Sequence, residues 1–262
     1  MRRLLRGAAF PASFLAVAVA LLVAAPREAA AQDANGLGEK HQLILSVDRL
    51  LPVLSYTSQT VTATVGGTAF KTTDSGTSMA ILFGREPSLG AVHTIPRVAF
   101  DYTIVRRLTL GGAFAFALGL GGSHSEDLPN GVTRKSDAGK TTIVGFAPRV
   151  GYVLPLGDLF AFWPRAGFAF YSVSTSTPSV AQNNTPVTTT DSDTVLSLDL
   201  DPQFAWTPVR HFFIHFGPLL NIPLSGSRST EVANGPSSQT TKNDLSVFHV
   251  GLSAGLGGWF DL

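Results

Sequence analysis

From Leu108 to Leu120 the bulky residues fall on every second position. Leu108, Leu110, Phe114, Phe116, Leu118 and Leu120 share one parity; Thr109, Gly111, Ala113, Ala115, Ala117 and Gly119 share the other. A period of two is the mark of a β-strand whose faces meet different surroundings. Five glycines between Leu108 and Gly122 argue against a helix, where each costs about 1 kcal/mol relative to alanine.

The same alternation recurs along the chain. Leu43, Leu45 and Val47 oppose Ile44, Ser46 and Asp48; Val98, Phe100, Tyr102 and Ile104 oppose Ala99, Asp101 and Thr103. Val144, Phe146, Val150, Tyr152 and Leu154 oppose Gly145, Ala147, Arg149 and Gly151; Phe160, Phe162, Phe168 and Phe170 oppose Arg165, Gly167 and Ala169. Leu196, Leu198, Leu200, Phe204 and Trp206 alternate with Ser197, Asp199, Asp201 and Gln203; Phe212, Ile214, Phe216, Leu220 and Ile222 alternate with His215, Gly217 and Asn221. The last run sets Phe248, Val250, Leu252, Leu256, Phe260 and Leu262 against His249, Gly251, Ser253, Gly255 and Gly257. These eight runs are each long enough for a tilted membrane strand of about 9–11 residues.

The connections alternate in length. Val105 to Arg107, Gly157-Asp158 and Thr207 to His211 are short; Thr57 to Gly90, Gly121 to Lys140, Thr175 to Asp193 and Ser225 to Asp244 are long and rich in Ser, Thr, Gly and Asn. That rhythm predicts an all-β fold: an eight-stranded antiparallel up-and-down transmembrane barrel with both termini at one end. The first long loop is expected to protrude as a hairpin, with strands in "SQTVTATVGG" and "TSMAILFG" joined by "TAFKTTDSG". An exposed edge there would accept a partner strand; the alternative is a solvated Thr-rich loop.

A soluble sandwich or lipocalin also alternates, but turns its polar face to water. Here the second face is mostly Gly, Ala, Ser and Thr, which is poor for a solvent face and apt for a narrow barrel interior. The bulky face then meets lipid. Tyr102, Tyr152, Phe160, Phe162, Trp206, Phe212 and Phe260 lie near strand ends, where interfacial aromatic girdles form.

The N-terminus fits export. Arg2, Arg3 and Arg6 precede an apolar run from about Phe14 to Ala25, and Ala29-Ala30-Ala31 precedes Gln32. This reads as a cleaved secretory signal over residues 1–31; the alternative, a membrane anchor, needs about 20 apolar residues. Residues 32–40 then form a short N-terminal periplasmic segment and residues 41–262 the barrel. The first 31 residues hold four arginines and Glu28, so the remaining 231 carry 15 Lys+Arg against 17 Asp+Glu, a net −2. A balanced charge gives no footprint for nucleic acid. The chain has no cysteine, which removes disulfides and thiol chemistry.

The chain ends "GLGGWFDL", with Gly257, Phe260 and Leu262 spaced as in the terminal insertion signature of bacterial outer-membrane barrels; Leu262 stands where an aromatic residue is commonest. With the export signal and the eight runs, residues 32–262 resemble the small eight-stranded outer-membrane β-barrel proteins of Gram-negative bacteria, the class containing the membrane domain of outer membrane protein A. The resemblance is one of architecture. It implies contact with outer-membrane lipid and lipopolysaccharide, and with the barrel-insertion machinery during biogenesis. A surface partner through the loops is a further expectation.

The inward parity collects Asp48, Arg97, Asp101, Arg149, Arg165, Asp199, Asp201 and His215. An eight-stranded lumen is just wide enough for side chains to fill, and buried charges must pair. Arg149 and Arg165 are expected to be near neighbours that need acids from elsewhere between them. One reading is an ion-pair plug; the other is a gated polar path or small-ligand site. Asp48 and Arg49 should face opposite sides, leaving one charge toward lipid unless Pro52 marks a bulge. Pro96-Arg97, Pro148-Arg149 and Pro164-Arg165 place arginine inward and proline outward. Each proline should mark a bulge, with the neighbouring arginine donating to the carbonyl left without a partner.

Catalysis finds little support. Some barrels of this class modify lipid A with Ser, His and an acid, but His249 and Ser253 on one strand face lie about 13 Å apart, beyond hydrogen-bond reach. "RKSDAGKTT" lacks the first glycine of a phosphate-binding loop, and "NNT" at 183–185 is a sequon without its usual setting. Asp191 and Asp193 are too few for a calcium site. His41, His93, His124 and His211 have no metal spacing. No catalytic residue, cofactor or metal is therefore expected. The function expected is structural or surface-interacting, with a plugged lumen; the alternatives are a narrow pore for ions or small polar solutes and, less favoured, a lipid-modifying enzyme.

Overall fold

The computed structural model describes residues 36–65, 67–79, 93–118, 122–127, 133–180, 186–234 and 237–262. The signal peptide expected over residues 1–31 lies outside the described residues, as do parts of the long connections. Twelve strands and no α-helix occur among the described residues. They are β1 (Gln42–Val65), β2 (Thr68–Met79), β3 (Arg97–Val105), β4 (Leu108–Leu118), β5 (Gly122–Asp127) and β6 (Thr133–Ala138), then β7 (Lys140–Tyr152), β8 (Leu154–Pro155), β9 (Phe160–Val180), β10 (Pro186–Val209), β11 (Phe212–Asn234) and β12 (Ser237–Asp261). Eight of them form a closed antiparallel ring: β10-β11-β12-β1-β3-β4-β7-β9, with β9 pairing back to β10.

The period-two pattern is the inside and outside of this ring. On β4, Phe114 and Phe116 are exposed and Ala113 and Ala115 buried; on β7 and β9, Phe146 and Phe170 point out and Ala147 and Ala169 in. Phe116 is 69% exposed and Val98 65%, so apolar surface covers the outside as it would the core of a soluble protein turned inside out. Aromatic side chains stack across strands on this outer face: Phe100–Phe114–Phe146 at 6.1 and 4.8 Å, and Phe162–Phe204–Phe216 at 5.0 and 5.8 Å. Cross-strand pairs of this kind stabilise a sheet.

All four expected loops are largely strand; between Gly121 and Lys140, β5 and β6 pair as a separate two-stranded sheet. β9 and β10 stay paired to Val180 and Pro186, and β11 and β12 to Asn234 and Ser237. Likewise β1 runs on to Val65 and turns directly into β2, so "TAFKTTDSG" is strand and not the connection between strands. These extensions carry hydroxyl pairs, such as Ser176–Thr190 at 2.9 Å and Thr60–Thr73 at 3.0 Å, in place of alternating apolar residues.

Of the expectations about strand irregularity, the bulge at Pro52 is found and two others are overturned. Asp48 and Arg49 do not face opposite sides; both are 1% exposed. Arg49 adopts a left-handed backbone, φ 57°, within a register shift between Val47/Leu256 and Leu51/Ala254. The two residues extra at Arg49 leave the parity unchanged at Leu51 and Pro52, but a second shift follows between Pro52/Ser253 and Leu54/Leu252. Pro52 does stand at a bulge, and its one extra residue reverses the parity, so that Ser55, Thr57 and Gln59 point inward.

Pro148 and Pro164, conversely, mark no bulge, and Pro96 lies just ahead of β3. Pro164 stands directly opposite Pro202 in an unbroken register, and Pro148 opposite Gly112. Between Phe146/Phe170 and Arg149/Gly167 rungs are missing while the register is unchanged. Arg149 and Arg165 donate to carboxylates, not to backbone carbonyls. A bulge would have turned each arginine toward lipid, whereas a missing rung forgoes a single hydrogen bond. Where a side chain does meet such a carbonyl it is a glutamine: Gln203 Nε2 donates to Pro218 O at 3.3 Å.

Candidate functional site in the barrel lumen

Buried side chains enter the lumen in layers. At the short-turn end, Ile44, Val153, Trp163, Phe213 and Trp259 form a buried apolar cluster with Leu37 from the N-terminal segment. Gln42 ties that segment down. Its Oε1 accepts from Gly38 N at 2.8 Å, and its Nε2 donates to Gly36 O at 2.7 Å and Asp261 Oδ1 at 2.8 Å. Arg107 N also donates to Gly38 O at 2.6 Å.

Above this cluster lies the charge network. The eight residues expected in the lumen, Asp48, Arg97, Asp101, Arg149, Arg165, Asp199, Asp201 and His215, are all buried there. Arg149 and Arg165 are diagonal neighbours, since Arg149 pairs with Gly167 and Gly151 with Arg165. Asp48 bridges them: Arg149 Nη1 donates to its Oδ2 and Arg165 Nη1 to its Oδ1 at 3.2 Å. Arg149 also grips Asp101 through Nε at 3.0 Å and Nη2 at 2.5 Å. Arg165 Nη2 reaches Asp201 at 2.8 Å and its guanidinium lies 4.8 Å from the Trp163 ring centre. Asp199 takes Arg97 at 2.7 Å, Arg49 at 2.9 Å and Asn221 at 2.9 Å. His215 Nε2 lies 3.3 Å from Asp48 Oδ1, with Gln203 Oε1 3.1 Å from its Nδ1.

Arg49 is the residue that parity missed. With it, four arginines face four aspartates, each aspartate held by at least one guanidinium. The sequence carried one hint, an excess of acid over base among the inward positions. At this level a cavity lined by Pro148, Arg149, Arg165, Asp199 and Asp201 measures about 10 Å³, room for roughly one water.

A third layer faces the long hairpins. His93, fully buried, offers its carbonyl to Arg49 Nη1 at 2.6 Å. Its ring lies 5.5 Å from that of His249 and 5.6 Å, edge-on, from Tyr171. His249 meets Thr57 Oγ1 at 3.0 Å and Ser55 Oγ at 3.3 Å. These hydroxyls come from β1 only because the bulge after Pro52 reversed its parity. Beyond the ring, Arg228 forks onto Asp193 at 2.7 and 2.6 Å, and Thr230 donates to Asp191 at 2.6 Å. No cluster of three metal-binding side chains occurs among the described residues. At the C-terminus, Phe260 and Leu262 are exposed, and Gly257 leaves room for Phe213, whose Cζ would lie 2.5 Å from a Cβ there.

No protein-family model matches the chain, and no curated protein matches it. Solved structures do. Outer membrane protein OprG from Pseudomonas aeruginosa aligns with a TM-score of 0.50 at 13% identity, over 88% of this chain and 100% of that one. A major outer membrane protein from Thermus thermophilus gives 0.42 at 14% identity over 79% and 99%. The attachment invasion locus protein Ail of Yersinia pestis gives 0.32 at 12% over 85% and 100%. The closed ring, the apolar exterior and the OprG alignment agree: in fold, this chain is an eight-stranded outer-membrane β-barrel of the kind found in Gram-negative bacteria.

Proposed function

We propose that this protein sits in the bacterial outer membrane as a barrel with a sealed lumen, and that it acts through its walls and long hairpins, not by conduction. The observation that carries this reading is the burial in the lumen of four arginines and four aspartates paired with one another, with a cavity of about 10 Å³ beside them. A path for ions needs mobile water, and a network whose charges neutralise one another leaves none unpaired to attract a solute. Export by residues 1–31 and insertion guided by Gly257, Phe260 and Leu262 belong to the same proposal. It includes no catalytic role: Ser55 Oγ is 3.4 Å from His249 Nε2, longer than a working nucleophile–base bond of about 2.6–3.2 Å, and the pair faces away from lipid.

The test is electrical. Purified protein in a planar bilayer is expected to give no steady current at neutral pH. Reproducible single-channel steps would replace this reading with the narrow-pore alternative.

A further inference from the structure

The connection into β3 enters the lumen before the strand begins. His93 is fully buried, and Ile95 packs against the cluster that Tyr171 forms with the inward alanines of β3, β4, β7 and β9. The main chain of this segment is tied to the charge network: Arg49 Nη1 donates to the His93 carbonyl at 2.6 Å.

The His93 side chain is the anomaly. Its ring lies 5.5 Å from that of His249 on β12, tilted by 27°, and 5.6 Å from Tyr171 on β9, edge-on. Neither of its ring nitrogens has a hydrogen-bond partner among the described residues. Buried polar atoms are nearly always satisfied, so ring packing alone holds this titratable group in a dry site. A phenylalanine would pack there equally well; a histidine adds the capacity to take a proton.

The surroundings decide what a proton would do. The charged groups facing the ring are Arg49 of β1, Arg97 of β3 and Asp199 of β10, with His249 stacked on it and the Tyr171 phenol accepting from Arg97 at 3.3 Å. Asp199 is already engaged by Arg49, Arg97 and Asn221. An imidazolium here would be a further buried cation beside two guanidinium groups, which is costly. Lifted into water, the same ring takes up a proton near pH ~6.5, as histidine ordinarily does. The lifted state therefore binds the proton and the buried state does not. Below that pH the balance moves toward the lifted state by about tenfold per pH unit for each histidine so released.

We infer that residues 93–96 form an acid-released latch. Neutral His93 holds the segment in the lumen above the charge network; proton uptake expels it and admits water to Asp199 and to the hydroxyls of Ser55 and Thr57. His249 strengthens the response, because two imidazolium rings repel at this spacing.

The inference rests on the sealed-lumen reading, and thiol labelling separates the two. The chain has no cysteine, so single cysteines report without interference. Ser55→Cys replaces a residue 2% exposed beside His249, and Ser75→Cys on β2 is the exposed reference. Each full chain is refolded into phosphatidylcholine vesicles, and its reaction with dithiodipyridine, which stays reactive in acid, is followed by mass. At about pH 7.5 the Ser55→Cys chain should react far more slowly than the reference. At about pH 5 its rate relative to the reference should rise at least tenfold. Adding His93→Phe, which keeps the ring packing and cannot take a proton, should remove most of that rise, and His93→Gln is a second substitution that does not titrate. An undiminished rise in either variant overturns the inference. So does a Ser55→Cys chain with His93 intact that shows no rise, a result that needs no variant at His93 to fold. Ser55→Cys reacting as fast as the reference at both pH values would instead overturn the sealed lumen itself.

Discussion

Asp48 is the residue on which the lumen network turns. It accepts from Arg149 and Arg165 on neighbouring strands, lies 3.3 Å from His215 Nε2 and also takes Ser46 Oγ at 3.0 Å. Asp48→Asn keeps the shape but leaves the guanidinium groups short of one negative charge in a buried site. Removing one partner of a buried pair costs about 3–5 kcal/mol. The variant should lose stability of that order in urea unfolding from vesicles, and equal stability would refute the bridging role. The exposed Arg210–Asp261 pair, 3.4 Å long, provides the contrast: Arg210→Ala should shift stability by less than about 1 kcal/mol. Parity alone predicts Asp48 inward, because the strand is regular as far as Val47. It cannot predict Arg49, whose inward turn depends on a left-handed backbone that arginine does not favour. The interactions that repay that conformation, with Asp199 and the His93 carbonyl, come from residues far away in sequence.

At the scale of elements, the barrel strands were legible because lipid outside and a narrow lumen inside impose opposite demands on alternate positions. The outer halves of β9 to β12 were not. Apart from the buried cluster of Val195, Leu245 and Val247 next to the ring, both faces there are largely polar, so strand pairing leaves little apolar signature and hydroxyl-rich sequence reads as loop. The same logic explains the glycines. Gly167 sits against the backbone of β7, and a Cβ there would lie 2.8 Å from Arg149 Cα and closer still to Pro148 O. Backbone cannot swing aside as a side chain can. Gly167→Ala should therefore force β7 and β9 apart beside Arg149 and Arg165, destabilising by about 1–3 kcal/mol. Gly76→Ala, with nothing within 4 Å, should stay within about 0.5 kcal/mol. The comparison is made by thermal midpoint in one vesicle type; if both variants behave alike, the close approach at Gly167 has no energetic weight.

For the whole molecule, the proposed seal turns on which layer would act as the barrier. The apolar cluster at the short-turn end and the charge network above it are built from different residues on different levels of the same strands. Leu37 reaches the cluster from the N-terminal segment, and Trp259 from β12, which closes the ring against β1. Trimming both, as Leu37→Ala with Trp259→Ala, removes bulk from the lower barrier. It leaves every member of the four-arginine, four-aspartate network in place. The trimmed barrel should lose stability, since large-to-small changes in a packed cluster cost about 2–5 kcal/mol each. On the sealed-lumen proposal it should nevertheless remain electrically silent in a planar bilayer, with the charge network as the remaining barrier. Steady channel steps from this variant, with wild-type protein silent, would mean that the apolar cluster is the true seal and that the charges line a path instead of blocking one.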